Sequence, residues 1–295
     1  MKVISIFGGT GFVGAELIGQ LIKMPVEIRL FTRKKNNAAH LKISPNLKLF
    51  ELSSKKNLQV NLDGTDVIIN LVGILHEKRN TKFSMVHEDF VLNIIDSAIK
   101  KNIKRLIHVS ALGTNKKAKS RYLSSKYKTE NLIKKEYKTY DWTIMCPSIV
   151  FGTNDKFINL FKKIIKFLPI IFLVSPKAKF QPIHVEDLVD IIILSINNKK
   201  TYKKVLNLGG PQKFTFIEII KLISFCYKKR NIIIGLNKAM SYLFVGILQL
   251  SPVKLITTDN LKSMETDNTV KVNDAYKFKT ALKDLKTYLI NYKEK

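Results

Sequence analysis

The feature that most constrains the fold of this chain is a glycine-rich turn near its N-terminus. A β-branched run, Val3-Ile4-Ser5, precedes the turn, and glycines follow at Gly8, Gly11 and Gly14. Apolar residues then recur at helical spacing from Ala15 onward. A strand, a glycine turn and a helix in that order are the context that a dinucleotide-binding turn requires, although an ordinary Gly-rich strand–helix turn has the same outline.

Each glycine of this turn has a distinct task if the turn holds a dinucleotide. Gly8 allows the tight turn, Gly11 lets the pyrophosphate approach bare backbone, and Gly14 lets the helix pack closely on the strand. The N-terminus of the helix offers N–H groups and a positive dipole end to the phosphates. The predicted cofactor-contacting residues of the turn are Gly8, Thr10, Gly11, Phe12, Val13 and Gly14.

The end of the second predicted strand bears on the choice of cofactor. An NAD site places a carboxylate about 20 residues beyond the glycines, where it binds the ribose 2′-hydroxyl. Here that region reads Thr32-Arg33-Lys34-Lys35, without a carboxylate. A guanidinium suits a 2′-phosphate, so Arg33 favours NADP(H) over NAD(H). The alternative is that Arg33 is one more surface cation in a basic chain.

Apolar runs alternate with helical patterns over the first half of the chain. The strands are predicted at residues 26–32, 47–51, 66–71, 104–109 and 142–146. Residues 81–101 carry apolar side chains at helical spacing. This alternation predicts an α/β fold with a doubly wound parallel sheet. The small or apolar residues Leu71, Val72 and Gly73 would let the sheet edge face the cofactor.

A Tyr-x-x-x-Lys pair lies on the helix predicted over residues 120–135. Tyr122 and Lys126 are four residues apart and therefore share a helical face, which Glu130 extends. An ammonium beside a phenol favours the phenolate that a proton-transferring tyrosine needs. Such pairs are common by chance, but this one follows the fifth strand of a predicted dinucleotide sheet.

The composition shifts near residue 150, which predicts two domains. Residues 1–150 form the NAD(P)-binding Rossmann domain, and residues 151–295 form a smaller, mostly helical lobe interleaved with it. Helices are predicted at 214–227, with Thr215 as cap, and at 236–250. The helix at 236–250 is too short to span a membrane but could lie on one or pack on a partner. The competing interpretation is an ordinary buried helix.

The 295-residue chain carries 51 Lys and Arg against 23 Asp and Glu, a formal net charge of +28. Three explanations stay open: a lysine-rich composition on solvated faces, attraction to an anionic membrane or acidic partner, and nucleic-acid binding. No nucleic-acid-binding motif is present, so no specific nucleic acid is expected. Two cysteines and scattered histidines predict neither a disulfide framework nor a metal site.

The N-terminus and hydropathy indicate where such a protein would act. The first predicted strand begins at residue 2 or 3, so no signal peptide is expected. No apolar run reaches the roughly 20 residues that a spanning helix needs. We therefore expect a cytoplasmic protein.

Several separate motifs together resemble a known family. The chain resembles the extended and atypical short-chain dehydrogenase/reductases, and within them the bacterial relatives of the NADPH-carrying accessory subunit of respiratory complex I. The matching motifs are GGTGFVG (8–14), NLVGILHE (70–77), VSALG (109–113), YLSSK (122–126), PSIVFG (147–152), QPIHVED (181–187), LITTDN (255–260) and DN (267–268).

The resemblance implies a tightly held NADP(H) and roles for several residues. Tyr122 and Lys126 would lie at the nicotinamide ribose, and Ser110 would lie near the nicotinamide as a third catalytic candidate. Pro147 and Ser148 would flank the nicotinamide from the sixth strand.

Three positions depart from the family pattern. Cys146 stands where an arginine is usual, which removes a cation from the site. Leu112 stands where the extended enzymes place a catalytic Ser or Thr, so a proton-relay hydroxyl is not assured. Glu51 replaces an aspartate near the adenine.

The resemblance favours an NADP(H)-binding protein with little or no turnover. Such a protein would support complex I or quinone-related assembly, with complex I subunits and an anionic membrane surface as partners, at the inner face of the cytoplasmic membrane. The alternative is an active NAD(P)-dependent epimerase, dehydratase or reductase acting on a nucleotide-sugar or related carbonyl compound. A third hypothesis is a cationic scaffold with an inactive pocket. The sequence identifies no substrate.

Overall fold

The computed structural model describes residues 1–33, 36, 38, 44–52, 54–249 and 256–292. The chain divides into two compact units, each assembled from several stretches of sequence. The first unit is Met1–Ser110, Ser125–Cys146 and Val189–Leu206, and the second is Ala111–Ser124, Pro147–Leu188 and Asn207–Lys295. The predicted domain boundary at residues 150 and 151 stays a prediction.

Strands and helices alternate along the described residues. The strands are β1 (Lys2–Phe7), β2 (Val26–Thr32), β3 (Leu47–Glu51), β4 (Val67–Asn70), β5 (Arg105–Val109), β6 (Asp141–Pro147), β7 (Val150–Phe151), β8 (Ile170–Leu173), β9 (Lys179–Phe180), β10 (Ile183–His184), β11 (Lys204–Leu208), β12 (Phe214–Thr215) and β13 (Ile232–Gly235). The α-helices are α1 (Phe12–Leu21), α2 (Lys55–Asn61), α3 (Phe90–Lys100), α4 (Arg121–Glu136), α5 (Phe157–Phe167), α6 (Val185–Ser195), α7 (Phe216–Cys226), α8 (Lys238–Leu248), α9 (Thr258–Met264) and α10 (Leu285–Tyr292).

The first unit is built on a seven-stranded sheet in the order β11-β6-β5-β4-β1-β2-β3. Adjacent strands from β3 through β6 pair in parallel. The order reverses direction between β1 and β4, which is where doubly wound sheets bind their ligands. The predicted α/β class with a doubly wound parallel sheet is therefore confirmed.

Branched apolar side chains explain why the middle strands lie inside. Ile4, Ile6, Ile68 and Ile69 are fully buried in β1 and β4. Strands in the middle of a parallel sheet are covered on both faces, so near-continuous apolar runs fit them better than alternating ones. The predicted strands at 26–32 and 47–51 match β2 and β3 residue for residue.

The predicted helices differ from the observed ones at three places. The pattern at 81–101 is a π-helical segment, Ser84–Asp89, followed by α3. The wider π turn changes which side chains face inward, so a 3.6-residue period describes only the second part. The pattern at 214–227 begins with β12, and Thr215 caps α7 through a reciprocal pair with Glu218, as predicted. The pattern at 236–250 becomes α8, and residue 250 lies outside the described residues.

The described part of the second unit contains three two-stranded sheets, β7 with β10, β9 with β12, and β8 with β13. Its apolar core gathers side chains from α5, α7 and the inner face of the β8–β13 pair, among them Ile165, Ile171 and Ile220. Among the described residues, no helix is long and apolar enough to cross a membrane.

Candidate functional site

The glycine turn links β1 to α1 through a backbone that only glycine can follow closely. Gly8 has a φ of +81°, in the left-handed region that favours glycine. The N–H of Gly11 donates to the carbonyl of Gly8 at 3.0 Å and closes the turn. A Cβ on Gly14 would overlap the carbonyl oxygen of Gly8 and the backbone of Gly9. Helix α1 therefore packs on the turn at backbone contact.

The N-terminus of α1 is open to an anion. Gly11 is the N-cap residue and, having no side chain, caps none of the first-turn N–H groups. Thr10 and Gly11 are exposed, whereas Phe12 and Val13 are half-buried. Exposed N–H groups at the positive end of a helix dipole are a phosphate-binding arrangement.

The end of β4 lies directly beside this turn. A Cβ on Gly8 would come within 2.9 Å of the carbonyl carbon of Leu71. The N–H of Leu71 donates to the carbonyl of Phe7 at 2.9 Å, and the N–H of Val72 donates to Asn70 Oδ1 at 3.0 Å. The structure thus brings the glycine turn and the Leu71–Val72 backbone together at the carboxyl edge of the sheet.

Lys126 reaches the same edge from α4. Its Nζ donates to the carbonyl of Val109 at 3.1 Å, and a Cβ on Gly73 would lie 3.2 Å from that nitrogen. Burial lowers the pKa of Lys126 to about 8, although Cys146 and Glu130 act in the opposite direction. Lys126 is therefore a buried cation beside the chain segment that follows β4.

Ser110 is bound to a buried carboxylate. Its Oγ donates to Glu130 Oε1 at 2.6 Å, and Cys146 Sγ lies 3.6 Å from the same oxygen. Glu130 also faces Lys134 Nζ at 3.9 Å. Burial, followed by the nearby carboxylate, holds the pKa of the Cys146 thiol well above its usual value. The helical spacing of Glu130 from Lys126 was the available sequence signal for its position, but its hydrogen bonding depends on β5 and β6.

His87 is a second buried group that the sequence analysis did not assign to the site. Its Nδ1 lies 2.8 Å from Ser125 Oγ, and its Nε2 accepts the N–H of Ile74 at 3.1 Å. Burial, and then the charge of Lys126, lower the pKa of His87 to about 3, so the imidazole is neutral. His87 thereby fixes the segment after Gly73 to α4. Its π-helical setting gave no recognisable sequence signal.

Tyr122 lies one turn before Lys126 on α4 and belongs to the second unit. The carboxylate of Asp259 caps the start of this helix: it accepts the N–H groups of Arg121 at 2.7 Å and Tyr122 at 3.1 Å, and the hydroxyl of Ser120 at 2.9 Å. Asp259, in the TTDN motif at residues 257–260, therefore caps helix α4, which carries Tyr122. The sequence analysis used this motif only as evidence of the family resemblance.

Pro147 ends β6, and Ser148 follows it in the second unit. Ser148 Oγ contacts Asn268 Oδ1 at 2.5 Å and the Asn268 carbonyl at 2.9 Å, and it accepts the N–H of Gln181 at 3.1 Å. The amide of Asn268 also donates to the Leu112 carbonyl at 3.3 Å. Asn268 of the late Asp-Asn motif therefore fixes the segment around Ser148.

Arg33 follows the last residue of β2 and is exposed. Its neighbour Thr32 is paired in register with Glu51 at the end of β3. Residues 34 and 35, which belong to the same basic run, lie outside the described residues. An exposed guanidinium is therefore present after β2, and the nearest carboxylate of the adjacent strand end is Glu51.

The predicted site residues divide between the two units. The first unit holds the glycine turn, Arg33, the Leu71–Gly73 segment, Ser110 and Lys126. Tyr122, Pro147 and Ser148 belong to the second. Their roles toward a cofactor stay predictions. Within the described ranges, no cluster of three or more His, Cys, Asp or Glu could hold a metal ion.

Comparison with known proteins agrees with this geometry. A family model described as NAD(P)H-binding matches residues 8–160, which begin at the first glycine of the turn and include all of β2 through β6. The chain belongs to this NAD(P)H-binding family.

Comparison with individual proteins identifies more specific relatives within this family. The chain is similar to NADH dehydrogenase (ubiquinone) 1 alpha subcomplex subunit 9 of Dictyostelium discoideum, at 27% identity over 84% of the chain and 70% of the relative. The Arabidopsis thaliana protein of the same name is 29% identical over 75% of the chain and 57% of the relative. The alignments thus cover between 57% and 70% of these two relatives' length.

A solved structure has the same fold over nearly the whole chain. A nucleoside-diphosphate-sugar epimerase from Staphylococcus aureus aligns with a TM-score of 0.77 at 13% identity, covering 98% of this chain and 100% of that one. The resemblance to atypical short-chain dehydrogenase/reductases related to the complex I subunit is confirmed.

Proposed function

We propose that this chain holds NADP(H) at the carboxyl edge of its seven-stranded sheet, with little or no turnover. The hydrogen bond from Ser110 Oγ to Glu130 Oε1, at 2.6 Å, supports the low turnover in this proposal. A hydroxyl that donates to a buried carboxylate is not available to relay a proton to a substrate. Leu112, two residues further on, provides no replacement hydroxyl.

The chain's own residues would bind the nucleotide as follows. The N–H groups at the start of α1 would bind the pyrophosphate, and the bare backbone at Gly11 would permit its close approach. Lys126 would donate to the nicotinamide ribose. The bound group would supply hydride chemistry if a substrate had access to it.

Arg33 supports NADP(H) as the preferred nucleotide. It is exposed and directly follows β2, where a guanidinium can bind a 2′-phosphate through two N–H groups. Glu51, on the neighbouring strand end, would repel a phosphate less than a carboxylate at residue 33 would.

Nucleotide identity and affinity test this proposal. Mass spectrometry of the natively purified protein is expected to release NADP rather than NAD. Arg33→Ser is expected to weaken NADPH binding about 30-fold and NADH binding little, because only NADPH loses charge-assisted hydrogen bonds. Arg230→Ser removes an exposed arginine of the second unit and is the matched control. Bound NAD, or equal losses for both nucleotides, contradicts the assignment.

The relatives support a proposed partner and location. Both named relatives are complex I subunits, and we propose that this chain associates with complex I or related quinone assembly at the inner face of the cytoplasmic membrane. Co-migration with complex I activity on native gels of the source membranes is the expected result. Migration entirely apart from it, with nucleotide still bound, overturns the partner and leaves the nucleotide proposal standing.

One observation favours the second candidate, an active epimerase or reductase. Tyr122 and Lys126 are both present, one turn apart on α4, as proton transfer from a phenol requires. Tyr122→Phe should then abolish turnover of nucleotide with a nucleotide-sugar or carbonyl substrate. Turnover that is unchanged by this substitution removes the alternative.

A further inference from the structure

The β8–β13 pair of the second unit turns an apolar face outward. Ile171 and Leu173 of β8 are buried in the core, whereas Ile170 and Phe172 are 44% and 51% exposed. The register pairs Ile170 with Ile232 and Phe172 with Ile234, so these four side chains lie on one side of the sheet.

Helix α8 adjoins this side of the sheet. The rings of Phe172 and Phe244 have centroids 6.0 Å apart. On α8, Leu243, the residue before Phe244, is 69% exposed. Ile247, one turn after Leu243, is 61% exposed. We call the surface formed by Ile170, Phe172, Ile232, Ile234, Leu243 and Ile247 the open face. Exposed apolar side chains grouped on neighbouring elements in this way are typical of a binding site.

The segments that form the open face are uniformly basic. Residues 156–177 and 219–249 each contain five Lys or Arg and no Asp or Glu. Except for the buried Lys162, all of these cations are exposed. Lys238 pairs with Glu265 from outside the two segments, at 2.8 Å. Six of these cations, which we call the rim, lie within four residues of β8 or β13 in the chain: Lys166, Lys177, Lys228, Lys229, Arg230 and Lys238. An apolar surface with such cations beside it is complementary to an anionic bilayer, where apolar side chains enter the interface and lysines reach the headgroups.

We propose that the open face docks on the surface of an anionic phospholipid membrane. This inference deepens the peripheral location proposed above and rests on it, but not on nucleotide binding. A second copy of the chain fits less well, because two basic rims would be brought together. An acidic protein fits less well because protein interfaces are enriched in Arg and depleted in Lys, whereas the rim consists of five lysines and one arginine.

Vesicle co-sedimentation tests the proposal with the intact chain. The chain is expected to bind vesicles that contain phosphatidylglycerol, to bind pure phosphatidylcholine vesicles much more weakly, and to dissociate as salt is added. Absence of binding to phosphatidylglycerol vesicles at low salt overturns the proposal.

Two pairs of variants localise the binding. Phe172→Ser with Ile234→Ser changes only exposed apolar side chains of the open face, and Val60→Ser, an exposed apolar residue of the first unit, is the control. Lys229→Glu with Arg230→Glu reverses two charges on the rim. The control Lys116→Glu with Lys117→Glu reverses two exposed charges elsewhere and gives the same net charge.

The open-face double variant and the rim double variant should each lower vesicle affinity by at least about tenfold, with little change for the controls. Equal losses in the charge control indicate non-specific attraction and overturn the docking face. Self-association that the open-face variants abolish, without vesicle binding, assigns the face to a second copy instead. NADPH affinity is measured on every variant, because loss there reports failure of the nucleotide site and not of the docking face.

Discussion

Two parallel sheets of this molecule use nearly the same residues to opposite effect. In the central sheet, Ile68 and Ile69 of β4 are fully buried. In the β8–β13 pair, Ile170 and Ile232 are 44% and 60% exposed although they sit in comparable runs of branched residues. Parallel sheets are normally covered on both faces. One face of the small sheet is not fully covered among the described residues, and the cover that we propose for it is an anionic membrane.

The largest effect on stability is expected from truncating a buried isoleucine in either sheet. Ile69→Ala removes fully buried atoms and should lower the free energy of unfolding by about 3–4 kcal/mol. Ile171→Ala, on the inner face of the small sheet, should lower it by about 2–4 kcal/mol for the same reason. Urea denaturation measures both. If Ile171→Ala left the free energy of unfolding almost unchanged, the small sheet would not be packed on its core.

The glycine turn provides the second test, because it depends on backbone contact rather than on side-chain burial. Gly14→Ala should lower the free energy of unfolding by about 2 kcal/mol and abolish NADPH binding, since its Cβ would overlap Gly8 and Gly9. Gly19→Ala in the same helix meets no atom within 4 Å and is the matched control. It should raise stability by about 0.5–1 kcal/mol. Unimpaired NADPH binding by Gly14→Ala would contradict the site.

The buried Lys126 should make the stability of the protein depend on pH. Its folded pKa is about 8 against an ordinary value of 10.5. Below pH 8 both states carry the proton and the burial penalty is fully present. Between pH 8 and 10.5 only the unfolded chain retains the proton, so stability rises.

This rise is measured as a difference between two proteins. From pH 7 to 9, the free energy of unfolding of the wild type should increase relative to Lys126→Met by about 1 kcal/mol. The comparison with a variant is needed because the raised pKa of Cys146 lowers stability at alkaline pH in both proteins. Lys166→Met, at an exposed lysine, is the control for the loss of one ammonium group. A flat difference for Lys126 would mean that its ammonium reaches solvent.

The smallest effect is expected on the open face itself. Ile234→Ala should change the free energy of unfolding by less than about 0.5 kcal/mol, because much of its side chain is already in water. Urea denaturation checks this beside Ile171→Ala. A cost comparable to that of Ile171→Ala would show that the face is covered in the isolated protein, and would remove the basis for a docking surface.

Local chemistry allowed much of the first unit, and the start of α7 in the second unit, to be predicted. Strand β2, the glycine turn and the capped start of α7 each follow from residues close in sequence, through periodicity, steric freedom and a Thr–Glu capping pair. The π-helical segment before α3 was mispredicted because its apolar spacing resembles that of an α-helix.

The contacts around the predicted site residues could not be predicted in this way. Ser110 meets Glu130 twenty residues away, and Ser148 meets Asn268 over a separation of 120 residues. Hydrogen bonds between residues so far apart in sequence depend on how the strands and helices pack, and that packing is set by the fold as a whole.

The sequence by itself determined a doubly wound dinucleotide-binding sheet, because steric limits at glycine and the burial of branched residues act over a few residues. The sequence also determined the formal net charge of +28. Only the tertiary structure decided that Ser110 donates to a buried carboxylate and that Ile170 and Ile232 face outward while Ile68 and Ile69 do not. A side chain's partner and its exposure depend on what packs over it, and that covering comes from parts of the chain far away in sequence.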